Sequence, residues 1–501
     1  MGQVRSGSGA DPAAARRGTV VNAETVRTGA VAAARRGVVW QGAAYVLARL
    51  LLLLSTAVLA RVLGPADFGF ISFGLVLVTT LNVVSDVGVS QALVYLPASQ
   101  RRVDTALAVG VTASVLLGLA WVAVVPWVVG LLGRPESALM LQVLAVVLVV
   151  TTVGQVPDAV LRKRLLFSRR MPGELTRGLA RGLVAIGLAL AGFGAWSLVW
   201  AEIAGAVGFA VVSWLMVRHR IGSWRRWFDR GEVRSLLRFG VPTALNGGLN
   251  TVVLNIDYLV VVALLGQAAL GGYFVGFRIP ELVVVSAFYV FSQVTYPMFA
   301  SVSAEPERLR RGYLLATRVQ STYGVAASIG IAVAAPVLVP VLFGPQYAGS
   351  VAVMQLIAIS AVFRSVTAGT ADVFKAVGRP EVGMWLGVVR IGLLVPALLL
   401  GTRWGITGVA AAQALMAVLF AVLAQQIVCR VIDLRVRDLL RQLVPPLLVG
   451  LGTGAGAALG MLLTGAPDWG SLVVTVLASV LVGVAVLLLV DRGTVRKLVA
   501  S

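Results

Sequence analysis

Six arginines (Arg49, Arg181, Arg278, Arg318, Arg364 and Arg390) and four acids (Asp86, Glu202, Asp257 and Glu281) fall within stretches that are otherwise almost wholly aliphatic. If such stretches cross lipid, each charge costs on the order of 2.5 to 3.5 kcal/mol and is a functional candidate by default. Arginine offers anion recognition there, because its planar, permanently ionised fork matches phosphate or carboxylate oxygens two at a time. The acids could bind a coupling proton or Na⁺. Covalent and metal chemistry are poorly served. One histidine, His219, and one cysteine, Cys429, exclude a His-based triad, a thiolate or imidazole metal site and a disulfide within one chain. No catalytic residue and no cofactor is expected, apart from a coupling H⁺ or Na⁺.

Each of these charges also has a plainer reading. Arg278 and Glu281 stand three residues apart and could simply neutralise one another, as could Glu174 and Arg177. Arg318 and Arg364 lie nearer the cytoplasmic half of their spans, where a long side chain can snorkel to water. Asp86 and Asp257 sit toward span ends and could cap helices. Arg49, at the middle of its span, is too deep to snorkel easily.

The segments that carry these charges must be membrane spans. The chain has 501 residues, 58% hydrophobic and only 13% charged, far from the composition of a soluble domain. The formal net charge of +21 does not point to nucleic acid, because the basic residues cluster in short connectors between apolar runs. Runs of about 20 apolar residues, enough to cross a bilayer as helix, recur fourteen times. With both termini cytoplasmic, only Arg61, Arg134 and Arg403 fall in outer loops, which is the asymmetry that retention of basic residues inside produces. The organisation expected is a disordered cytoplasmic tail at 1–37, a first lobe of six spans at 38–217, and a basic hinge at 218–239. In that hinge Trp224, Trp227 and Phe228 suit an interfacial helix. A second six-span lobe at 240–428, a linker at 429–441, two further spans at 442–490 and a tail at 491–501 complete it.

The two lobes echo one another. "LGPADFG" at Leu63–Gly69 returns as "LGQAALG" at Leu265–Gly271; "GRPESALMLQVLA" from Gly133 returns as "GPQYAGSVAVMQLIA" from Gly344; Arg181 aligns with Arg390, and "GAWSLVWAE" from Gly194 with "GITGVAAAQ" from Gly405. Three echoes in one order imply a duplication of six spans. Six is even, so both copies insert the same way up and their pseudo-twofold axis runs along the membrane normal. Symmetry would then set Arg181 and Arg390 facing each other across the lobe interface. Pro242, Pro280 and Pro297 could supply bends for gating.

Several stretches together carry a family resemblance: "RLLLLLSTAVLARVLGPADFGFISF", "SDVGVSQALV", "LLRFGVPTALNGGLNTVVLNIDYLVV", "LGGYFVGFRIPELVV" and "YPMFASVS". Over roughly residues 35 to 490 the chain resembles the polysaccharide transporter branch of the multidrug/oligosaccharidyl-lipid/polysaccharide flippase superfamily. The resemblance implies an all-α fold of 14 transmembrane helices in the bacterial cytoplasmic membrane. It implies flipping of a polyprenyl-pyrophosphate-linked oligosaccharide, as in O-antigen, capsule or exopolysaccharide assembly. Deep arginines would replace the water lost by the pyrophosphate while the lipid tail stays in the bilayer. Its expected partners are membrane lipids and the glycosyltransferases and polymerase of the same pathway, not nucleic acid. The rivals are a multidrug or organic-cation exporter, a peptidoglycan-precursor (lipid II) flippase and a membrane glycan polymerase or ligase. Six deep arginines against four acids argue against a cation site, and short outer loops argue against an enzyme.

Overall fold

The computed structural model describes residues 49–96, 99–131, 138–164, 166–217, 229–465 and 467–491. The expected tail 1–37, the start of the first expected span at 38–48, all but the first residue of the expected tail 491–501, Arg134 and the tryptophan-bearing part of the hinge lie outside the described residues. Lipid offers no partner to backbone amides, so a spanning chain closes its hydrogen bonds within helices. All regular structure among the described residues is accordingly helical.

The first repeat contains α1 (49–62), α2 (Pro65–Ser85), α3 (Val89–Tyr95), α4 (Gln100–Leu131), α5 (Ala138–Val143), α6 (Ala145–Lys163), α7 (Phe167–Leu190) and α8 (Trp196–Val217). The second contains α9 (Arg230–Leu254), α10 (Ile256–Leu265), α11 (Gln267–Pro280), α12 (Ser286–Ser301), α13 (Pro306–Phe343), α14 (Ser350–Thr367), α15 (Thr370–Ala376), α16 (Pro380–Gly401) and α17 (Gly405–Val431). A terminal hairpin of α18 (Val436–Thr464) and α19 (Trp469–Val490) follows. Among the described residues, ten runs are long and apolar enough to cross a membrane, and one of them, Glu381–Val431, holds both α16 and α17. The helix α7 is not one of the ten, because Arg169, Arg170, Glu174, Arg177 and Arg181 interrupt its apolarity.

The duplicated turn meets its own copy. A Cβ on Gly69 of α2 would fall on the Gln267 carbonyl oxygen of α11, and a Cβ on Gly271 would fall on the Pro65 carbonyl oxygen of α2. Gln267 and Gly271 follow Pro65 and Gly69 by the same interval, so the contact is reciprocal, as a twofold axis passing between two helices requires. Bare backbones are what allow helices in lipid to approach so closely. The third echo holds in backbone detail too: Gly194, just ahead of α8, and Gly405, the first residue of α17, both take positive φ, 54° and 65°.

Between α11 and α12 the helix widens into a π turn, Glu281–Val285. Pro280 has no N–H to return to the preceding turn, and the Tyr323 hydroxyl of α13 donates to the Val283 carbonyl at 2.6 Å. The terminal hairpin packs on α13 through small residues, with Gly330 against Thr453 and Gly454 against Ile329. At its far end Arg318 of α13 binds Asp491, 2.8 Å away, and the Gln442 side chain at 3.2 Å.

Adding a side chain at the crossing should therefore separate the repeats. Gly271→Val is expected to lower stability by about 1–3 kcal/mol or more, the cost of overpacking. Gly64→Ala, with nothing within 4 Å of the added carbon, should leave the unfolding temperature in detergent unchanged.

Candidate functional site

Beside the glycine crossing lies a cavity shared by both repeats. It is lined by Ser55 and Thr56 of α1, Phe68 and Ser72 of α2, Arg181 of α7, and Phe274 and Arg278 of α11. The three hydroxyls donate to carbonyls of their own helices: Ser55 to Leu52 at 3.0 Å, Thr56 to Leu52 at 2.7 Å and Ser72 to Phe68 at 2.7 Å. Their oxygens keep acceptor capacity for a ligand's donors. Phe68 and Phe274, one from each repeat, meet edge to face at 5.7 Å, and Tyr347 closes on Phe68 from the other side at 6.1 Å.

Two guanidinium groups complete the lining. Arg181 pairs with Glu202 of α8 at 2.5 Å, the two helices being an antiparallel hairpin turned at 191–195. Arg278 lies over the Phe274 ring at 5.2 Å and reaches Glu281 only at 3.4 Å. Its Nε–H is buried and has no hydrogen-bond partner. Buried donors are satisfied in the great majority of cases, so an orphan on a charged group needs a reason. Arg181 and Arg49 both stand close enough to Arg278 to repel it. Arg181 and Arg278 thus face one cavity with an unsatisfied guanidinium N–H between them and Arg49 within electrostatic reach, a setting that favours an added anion.

Arg390 and Arg364 are placed elsewhere. They stand within electrostatic reach of each other, and Arg390 also within reach of Asp257 inside the second repeat. Asp257 is fully buried, accepts from the Tyr273 hydroxyl at 2.8 Å and the Gln413 amide at 3.1 Å, and takes the Tyr258 N–H at 3.0 Å. The side chain that shares the cavity with Arg181 is Arg278. Arg318 is engaged with Asp491 and Gln442. Asp86 accepts the N–H groups of Gly88 and Ser90 at 2.9 and 3.1 Å and so ties the start of α3. Glu174 pairs with Arg170 at 3.3 Å, while Arg177 lies over Phe209 at 5.4 Å.

Sequence reasoning overlooked several members of these clusters. The cavity hydroxyls and Phe274 carry no charge to mark them, although Phe274 occupies the repeat position of Ser72 and could have been found that way. Asp372 was also missed; it is buried and accepts from Ser292 at 2.9 Å and Thr295 at 2.8 Å. Truncating Asp257 would strand the Tyr273 and Gln413 donors. Asp257→Ala is therefore expected to cost roughly 1–3 kcal/mol in thermal unfolding, and Asp257→Asn, which keeps an acceptor, clearly less.

Comparison with known proteins follows the same lines. The family described as "Polysaccharide biosynthesis protein" matches residues 58–352. The chain is 23% identical over 376 residues to the lipopolysaccharide biosynthesis protein WzxC of Escherichia coli (strain K12), covering 73% of this chain and 74% of that one. It is 26% identical over 338 residues to the succinoglycan biosynthesis transport protein ExoT of Rhizobium meliloti (strain 1021), covering 66% and 67%. Among solved structures, the lipid II flippase MurJ in an inward closed conformation superposes with a TM-score of 0.68 at 12% identity, over 91% of this chain and 100% of that chain. At that identity the likeness speaks to the fold alone: a multi-pass, all-α membrane protein with the fold of the multidrug/oligosaccharidyl-lipid/polysaccharide flippase superfamily. With the family match spanning more than half of its length, the chain belongs to the polysaccharide biosynthesis protein family.

Proposed function

We propose that this protein is a flippase that carries a polyprenyl-pyrophosphate-linked oligosaccharide from the inner to the outer leaflet of a bacterial cytoplasmic membrane. Both termini would be cytoplasmic, and the product would feed cell-surface or exopolysaccharide assembly. The observation that carries this reading is Arg278, lining a cavity between the repeats with a buried, unpartnered Nε–H and with Arg181 and Arg49 nearby. A diphosphate offers two or more negative charges and several strong acceptors. It can take the orphan donor and relieve the repulsion among three cations, and guanidinium forks bind it bidentately.

The chain's residues then divide the task. Arg278, Arg181 and Arg49 hold the phosphates, while Glu202 and Glu281 neutralise part of the charge when the cavity is empty. Ser55, Thr56 and Ser72 accept hydrogen bonds from sugar hydroxyls. The polyprenyl tail remains in the bilayer while the head group crosses. Rocking of the two repeats about their shared axis would open the cavity to each side in turn. The substrate is moved and not chemically altered, and the relatives' names support that reading: one is called a transport protein and both are assigned to the making of a polysaccharide. Asp257, a buried carboxylate within electrostatic reach of Arg390, is the residue we assign to binding a coupling H⁺ or Na⁺.

Reconstitution tests this directly. In proteoliposomes holding a fluorescent polyprenyl-diphosphate oligosaccharide, Arg278→Ala and Arg181→Ala are expected to slow head-group translocation at least tenfold. Arg318→Ala, outside the cavity, should retain most of the rate in protein that remains folded. Equal rates in all these variants would refute the phosphate site, and a native protein that moves no substrate would refute the assignment itself.

A further inference from the structure

At the end of the bundle where α1 turns into α2, Arg61 reaches out of the first repeat and into the second. Its Nε donates to the Leu342 carbonyl at 3.0 Å and its Nη2 to the Val341 carbonyl. Both carbonyls belong to the last turn of α13, where the chain supplies few donors of its own. Pro345 occupies the position whose N–H would normally return to Val341, and it has none. A cation is also the charge that a helix C-terminus favours. Arg61 thus supplies to Val341 the donor that Pro345 withholds and gives a second to Leu342, and among the described residues no carboxylate pairs with it.

The same guanidinium lies over the ring of Trp469, 5.4 Å from its centroid. Trp469 is the first residue of α19, set in place by Asp468, which accepts the Ser471 N–H at 2.6 Å. The terminal hairpin is fastened to α13 along its length and at Arg318, and the contact of Trp469 with Arg61 ties it to the first repeat as well. A second tie lies beside it, with the Gln346 side chain donating to the Ala60 carbonyl at 3.2 Å. The aromatic group of Phe68, Phe274 and Tyr347 and the glycine crossing lie in the same region.

We infer that Arg61, the α13 C-terminus and Trp469 form a latch that keeps the cavity from opening at the end where α1 turns into α2, its mouth on that side, and that the terminal hairpin is a working part of it. For the mouth to open, the guanidinium must leave both the two carbonyls and the indole. The strength of the latch then sets how often the cavity is exposed on that side. This rests on the flippase reading only in naming that side as outer; the latch itself requires no substrate.

Cysteine accessibility separates the two ideas. The chain has a single cysteine, Cys429, and it is buried, so Ser72→Cys in the cavity provides a reporter with a built-in control. A membrane-impermeant maleimide is applied to the outer face of right-side-out vesicles containing the full chain and no oligosaccharide lipid. Arg61→Ala and Trp469→Leu are each expected to raise the labelling rate of Cys at 72 at least fivefold. The double variant should label no faster than Arg61→Ala alone, and Arg61→Lys should fall between native and Ala. Unchanged labelling in Arg61→Ala overturns the latch, and unchanged labelling in Trp469→Leu removes the hairpin from it. If Cys429 becomes labelled as well, the variant has loosened the whole fold and the proposal fails.

Discussion

The crossing of α2 and α11 at Gly69 and Gly271 is the constraint on which the rest of the structure depends. Neither helix has a side chain there, and each glycine stands against a carbonyl of the other helix. In lipid no hydrophobic force draws helices together, so close backbone approach and van der Waals packing must do it. The crossing fixes how far apart the two repeats stand. It thereby decides that Ser72, one turn along α2 beyond the aromatic group, opens onto a space shared with Arg278, nearly two turns along α11 from Gly271.

Duplication supplied the frame, and divergence supplied the chemistry. The position of Ser55 in the first repeat is that of Asp257 in the second, and the position of Glu202 is that of Gln413. Arg181 therefore has a carboxylate partner on the next helix, whereas the equivalent position in the second repeat is the amide Gln413, which donates to Asp257, and the acid within reach of Arg390 is that Asp257 on α10. Arg278 has no basic counterpart at all, since its repeat position holds Val76. Two copies of one fold have become a half that opens Ser55, Thr56, Ser72 and Arg181 onto the cavity and a half that adds Arg278 to it while keeping Asp257 hydrogen-bonded inside itself.

This asymmetry also marks how far the sequence could be read. Long aliphatic runs between basic connectors specify helices in lipid so strongly that the all-helical architecture and the repeat were both legible. Arg181 and Glu202 were each visible as deep charges, and their pairing follows from counting back along the hairpin between them. The partnership of Arg181 with Arg278 was not legible, because an argument from repeat equivalence assumes that symmetry is kept where it has been abandoned. Arg61 was read only as one of three basic residues in outer loops. Its role depends on a proline 284 residues later that lacks an N–H.

The π turn at Glu281–Val285 gives α11 and α12 one residue more than a regular helix of that length would hold. Each residue advances an α-helix by about 100°, so a stretch that absorbs or releases the surplus twists its two flanks relative to each other like a faucet handle. Arg278 lies just before the surplus and Glu281 at its first position, so the alignment of this cation with its acid is a matter of phase, open to resetting without breaking the rod.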